Sequence, residues 1–281
     1  MGPTWPRLAP TNRWFIYPNR SILIPVETAL IHFAQVTKRY GGRGVIENLS
    51  LSIHKGSFVA LVGESGAGKT TLLKTINRLT EIDSGSITIS GEVITAVPLP
   101  ALRRRIGYVF QGVGLFPHMS VAENIGLVPR LRGTAIPDLA DRIAELLDLV
   151  SLPPDLAERY PAELSGGQAQ RVGFARALAA GPSIMLMDEP FGALDPVTRS
   201  ELGGAYRALH DRMGLTSVFV THDLSEALLL ADRIIVLGDG GVLADLPPRE
   251  LLQYRGDERV CAMIAVVRDQ ADRLEALARP A

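Results

Sequence analysis

Eight residues, Gly63 to Thr70 (GESGAGKT), constrain this chain most. They follow the apolar run Phe58 to Val62 (FVALV) directly and lead straight into the helical pattern TLLKTINRL. G-x-x-x-x-G-K-[ST] between a strand and a helix is the spacing of a phosphate loop. Its glycines let the backbone wrap a polyphosphate, with amide N–H groups and the helix N-terminus facing the anion. Lys69 is then placed for the β and γ phosphates and the Thr70 hydroxyl for Mg²⁺. The motif predicts a bound nucleoside triphosphate.

The surrounding pattern agrees. Ile184 to Met187 (IMLM), Ser217 to Val220 (SVFV) and Arg233 to Leu237 (RIIVL) are short apolar runs like FVALV, separated by helical stretches. Runs buried on both faces that alternate with amphipathic helices predict an α/β fold on a parallel sheet, with ligands at the carboxyl ends of its strands. A mainly helical block from about Gly112 to Gly181, periodic over Leu139 to Val150, reads as an insertion. Pro247 to Tyr254 and Ala271 to Ala278 read as short helices. Residues 1–28 carry five prolines, show no periodicity and are expected to be a poorly ordered extension; Val26 is an alternative start.

Composition narrows the function classes. Lys plus Arg number 29 against 30 Asp plus Glu in 281 residues, which excludes a strongly basic nucleic-acid wrapper. Apolar residues make up 47%, enough for a sizeable core, yet no run of about 20 apolar residues exists to cross a bilayer. The start lacks a secretory pattern, and the single Cys261 forms no internal disulfide, so a reducing compartment is expected.

A phosphate loop alone does not separate a kinase from a hydrolase. Asp188 and Glu189, at the end of the Ile184 run, do more: Asp188 can reach the Mg²⁺ shell, and Glu189 can polarise a water. A second anion site is written in LSGGQAQRV, Leu164 to Val172, where Ser165, Gly166 and Gly167 lie at a helix start. Two phosphate sites for one nucleotide are redundant unless they belong to different molecules. Here the chain resembles the ATP-binding subunits of ABC transporters, over nearly everything from Leu30 to Leu277. A nucleotide kinase would leave LSGGQ and His222 unexplained.

The resemblance implies a P-loop ATPase of the ABC type: a mixed sheet core, RecA-like over 30–111 and 182–245, with a helical subdomain at 112–181. An extension at 1–29 and a short helical tail at 246–281 flank this ATPase domain. It further implies Tyr40 stacking on adenine and ATP contacts from Gly63, Glu64, Ser65, Gly66, Ala67, Gly68, Lys69, Thr70, Thr71, Gln111 and Asp188. Mg²⁺ would be held by Thr70 and Gln111, with Glu189 and His222 catalytic. Ser165, Gly166, Gly167 and Gln168 would serve the ATP of a second copy in a head-to-tail dimer, with Asp195 at the interface.

Arg103 to Leu131, Ile76 to Glu92 and Leu186 to Leu202 are similar to the importers of quaternary-amine osmoprotectants, the glycine betaine, choline, carnitine and proline class. The chain ends too soon for the paired CBS domains of the larger members, and its tail resembles a branch without them. Glu64 stands where the family often has Pro, Ala169 where Gln is commoner, and Gly112 where many relatives have Gln. The implied partners are a second ATPase subunit, membrane permease subunits that meet the loop after Gln111, and indirectly a solute-binding protein, with the ATPase at the cytoplasmic face of the membrane and no nucleic acid. An importer of another small solute, an amino acid or sulfonate, stays open. So does a soluble ABC ATPase without a transport role.

Overall fold

The computed structural model describes residues 29–278 apart from 113 and 134–135. The expected extension falls outside them except for residue 29. Along the chain run β1 (Ala29–Tyr40), β2 (Arg43–His54), β3 (Phe58–Gly63), α1 (Lys69–Ile76), β4 (Ser84–Ile89), β5 (Glu92–Val93), α2 (Leu99–Arg104) and β6 (Ile106–Val109). Three helices follow: α3 (Val121–Leu131), α4 (Ile136–Leu149) and α5 (Gly166–Ala179). Then come β7 (Ile184–Asp188), α6 (Pro196–Met213), β8 (Thr216–Val220), α7 (Leu224–Leu230), β9 (Arg233–Gly238), β10 (Gly241–Leu246), α8 (Pro248–Leu251) and α9 (Glu258–Ala278).

The four apolar runs are the centre of a six-stranded sheet ordered β10-β9-β3-β8-β7-β6. All its pairings are parallel except β10 with β9. Every residue of β3, β7 and β8 is buried, which is why their sequences are continuous rather than alternating. Pairing Leu61 with Val220 and Asp188 with Val220 brings the ends of three strands side by side. The segments that follow those ends carry Lys69, Glu189 and His222.

Alternate residues of β3 feed two separate apolar clusters. Phe58, Ala60 and Val62 pack with Leu139, Ile143 and Leu147 of α4, Val172 and Phe174 of α5, and Val260 and Ile264 of α9. Val59 and Leu61 pack with Leu72, Leu73 and Ile76 of α1 and with Ile31, Phe33, Leu51 and Ile53. These last four belong to a second, antiparallel sheet, ordered β2-β1-β4-β5. The apolar runs do not reveal it. Bulges interrupt its alternation between Phe33 and Val36, and Gln35 and Asn48 take φ of 50° and 46° there.

The C-terminus departs from expectation. Of the two short helices expected, the first holds α8, within Pro247 to Tyr254; in place of the second, at Ala271 to Ala278, α9 starts at Glu258 and runs 21 residues without a break. Val260, Ile264 and Val267, four and three residues apart, press one stripe onto the core and carry the helix across the interval. Arg259 anchors its start through Asp239 and Asp257.

Candidate functional site

The phosphate loop leaves β3 at Gly63 and enters α1 at Gly68. At Gly68 φ is +88°, and an added Cβ would lie 2.7 Å from the Val45 carbonyl oxygen; only glycine fits without strain. No side chain caps α1, so its first N–H groups face the cleft and are free to take an anion. Lys69 folds over the loop and donates to the carbonyls of Gly63 and Glu64, both at 2.8 Å. Burial lowers its pKa, against the opposing pull of Glu189 and Asp188.

Behind the loop, the Thr70 hydroxyl donates to Asp188 Oδ1 at 2.7 Å. Asp188 is 2% exposed. Desolvation raises its pKa; the Thr70 hydrogen bond and Lys74, whose Nζ is 3.9 Å from Oδ2, work the other way. Lys74 was not singled out from sequence, although its place four residues after Thr70 on a helix puts the two on one face.

Glu189 follows Asp188 in a left-handed conformation, φ 47°, that few residues of its type adopt. Its N–H donates to the Val220 carbonyl at 3.0 Å, tying the turn to β8. Gln111 Nε2 donates to its Oε2 at 3.1 Å, and His222 Nδ1 lies 3.5 Å from Oε1. Three loops from three strand ends therefore meet at one carboxylate.

Tyr40, Ser65, Gly66, Gly68, Lys69, Thr70, Thr71, Gln111, Glu189 and His222 line one cleft of about 560 Å³, joined by Val45, which sequence reading missed. Tyr40 is half-exposed, with Lys38 Nζ 5.2 Å from the ring centroid. Gly63, Glu64 and Ala67 face a neighbouring hollow on the far side of the loop, and Asp188 sits beneath Thr70.

The second anion motif lies elsewhere. Ser165, Gly166, Gly167 and Gln168 do not line the cleft. Ser165 N-caps α5: its Oγ accepts from Gln168 N–H at 3.2 Å, while Gln168 Oε1 accepts from Ser165 N–H at 2.9 Å. Ser165 and Gly166 are exposed. Asp195, also exposed, caps α6 by accepting from the N–H groups of Val197 and Thr198. Its hydrogen bonds with Thr198 hold its carboxyl below the usual range.

The strand-end loop, its lysine and the carboxylate pair opposite make this a P-loop nucleotide-binding cassette. A family model described as ABC transporter matches residues 46–192. The chain belongs to the ABC transporter family. It is 50% identical over 223 residues to the glycine betaine uptake system ATP-binding protein YehX of Escherichia coli, covering 79% of this chain and 72% of that one. It is 48% identical over 232 residues to the choline transport ATP-binding protein OpuBA of Bacillus subtilis, covering 82% of this chain and 61% of the relative, less than two thirds of its length. The sulfate/thiosulfate import ATP-binding protein CysA of Bacillus cereus is 46% identical over 227 residues, with 79% of this chain and 63% of the relative covered. Among solved structures, a dimeric post-hydrolysis state of the ATP-binding cassette MJ0796 bound to ADP and phosphate superposes with a TM-score of 0.72 at 34% identity, covering 78% of this chain and 99% of that one.

Proposed function

We propose that this chain is the ATP-hydrolysing subunit of an importer for a quaternary-amine osmoprotectant such as glycine betaine or choline. The observation that carries the hydrolytic part is the meeting of Gln111, Glu189 and His222 at the mouth of the phosphate loop. The substrate class rests on the relatives named for betaine and choline.

In this reading adenine stacks on Tyr40, and the triphosphate takes the loop N–H groups of Ser65 to Thr71. Lys69 exchanges its loop carbonyls for the β and γ phosphates. The oxygens of Thr70, Gln111 and Asp188 are the hard donors Mg²⁺ prefers, and the few protein ligands suit an ion that also binds phosphate. No cluster of three or more His, Cys, Asp or Glu side chains among the described residues would hold a metal alone. When bound, the ion neutralises charge on the phosphates. Glu189 takes the proton of the attacking water as its oxygen bonds to the γ phosphorus and the bond to the ADP oxygen breaks. Gln111 aims that carboxylate, and His222 stabilises the γ phosphate.

The exposed Ser165 motif completes the site only from a second copy. It accepts the cap bond with a lone pair, so its hydroxyl proton stays free to donate to the γ phosphate of the partner's nucleotide. Membrane permease subunits would meet the segment after Gln111: Phe116 is exposed there, while Leu115 packs against the helical block. No helix among the described residues is long and apolar enough to span a membrane, consistent with a pore in other chains. A solute-binding protein would deliver the cargo at the opposite face of that membrane.

The test is uptake of labelled betaine and choline in a strain lacking this gene and any redundant system, complemented by the wild type or by Glu189→Gln. Restoration by the wild type alone supports the whole reading. Restored sulfate uptake instead favours the cargo for which the Bacillus cereus relative is named, and restored amino-acid uptake the other small-solute alternative.

A further inference from the structure

Gln170 is not in the cleft and touches none of the groups assigned to ATP, yet it holds the turn that carries Glu189. It lies on α5, five residues beyond Ser165, and is 4% exposed. Both the nitrogen and the oxygen of its side-chain amide are engaged. Nε2 donates to the carbonyls of Glu189 at 3.2 Å and Pro190 at 2.6 Å, and Oε1 accepts from Ala193 N–H at 3.1 Å. These three bonds close both ends of the segment 189–193, which begins at the left-handed Glu189 and leads to Asp195 two residues on. Within the segment the Gly192 N–H returns to the Glu189 carbonyl at 3.2 Å.

A glutamate held at φ 47° persists only if its surroundings over-determine it. The Val220 carbonyl fixes the Glu189 N–H; Gln170 fixes its C=O. We infer that Gln170 is a positioning residue: it clamps the Glu189–Ala193 turn so that the Glu189 carboxylate faces the phosphate loop, and so ties the helix headed by Ser165 to the same chain's catalytic carboxylate. The inference rests on the hydrolytic reading of Glu189. In a head-to-tail dimer it has a specific consequence, because the Ser165 helix serves one nucleotide and Glu189 the other. A shift of α5 at one site is then delivered to the second through one amide group.

Gln170→Met keeps length and volume but removes all three bonds, and Gln170→Glu keeps the acceptor while opposing a carboxylate to two carbonyls. Displacing a catalytic group by about 1 Å costs up to roughly 100-fold. For Gln170→Met, kcat for ATP should fall roughly 10- to 100-fold while KM stays within about 2-fold, and Gln170→Glu should fall further. Amide exchange supplies a readout that needs no turnover: the Ala193 N–H should exchange at least about 10-fold faster in Gln170→Met, with the Glu189 N–H, bonded to β8, unchanged. Wild-type kcat in Gln170→Met, or unchanged Ala193 exchange, would overturn the clamp. Failure of the wild type to hydrolyse ATP would instead refute the hydrolytic reading, while the exchange experiment still decides whether Gln170 holds the turn.

Discussion

Two helix N-termini in this molecule look equivalent in sequence, each glycine-rich and each suited to an anion, but they are finished in opposite ways. The start of α1 has a left-handed glycine in place of a capping side chain, a lysine folded across it and a buried carboxylate beneath. The start of α5 is capped by its own Ser165 and Gln168 and stands exposed. An uncapped end leaves donors for water or a ligand to satisfy. A capped end is stable alone and offers one hydroxyl proton. In the proposed function the first is a binding site, and the second is a surface that would complete the site of a partner copy.

This contrast predicts that damage at the α1 end and its carboxylate acts within one chain, whereas damage at α5 spares nucleotide binding. Glu189→Gln, which keeps shape but removes the base, should lower kcat by about 10²- to 10⁴-fold in steady-state ATPase assays. ATP should then hold the dimer long enough to be seen by size exclusion. Ser165→Ala should lower kcat by roughly 10²- to 10³-fold, the scale of losing one donor to a developing charge. Its ATP affinity, measured on the monomer by fluorescent-nucleotide titration, should be unchanged, and loss of the cap should cost about 1 kcal/mol of stability. If binding weakens in Ser165→Ala, the two ends are not separable as argued.

Lys69→Ala should weaken ATP binding by roughly 10- to 150-fold, the equivalent of about 1.5–3 kcal/mol for a hydrogen bond to a charged group. Equilibrium titration of the monomer measures it. The smallest effect belongs to Tyr40, whose half-exposed ring contributes stacking alone: Tyr40→Ala should raise the dissociation constant roughly 2- to 10-fold. GTP should then bind nearly as well as ATP.

Much of the cleft was legible because one strand-loop-helix motif determines backbone and chemistry together. FVALV, IMLM and SVFV lie where their lack of alternation predicts, in the middle of a parallel sheet. The antiparallel sheet was hidden by its bulges, since a one-residue slip at Gln35 breaks the period that reveals a half-buried strand. The long α9 was hidden because a charged face at Arg268 to Asp272 masks the narrow apolar stripe of Val260, Met263, Ile264 and Val267. Gln170 could not be read as a clamp from LSGGQAQ: its partners are backbone groups of residues 189, 190 and 193, which carry no side-chain signature.

The pairing of β3 also has a temporal meaning. The strand that launches the phosphate loop has no early neighbour in its sheet: Phe58 meets Ser217, and Val59 meets Arg233. Such non-local pairings form slowly and only after the intervening chain exists. During synthesis the GESGAGKT segment therefore emerges long before the strands that pair with β3. A chain cut short before β8 would carry the motif without the two strands that flank β3 and without His222.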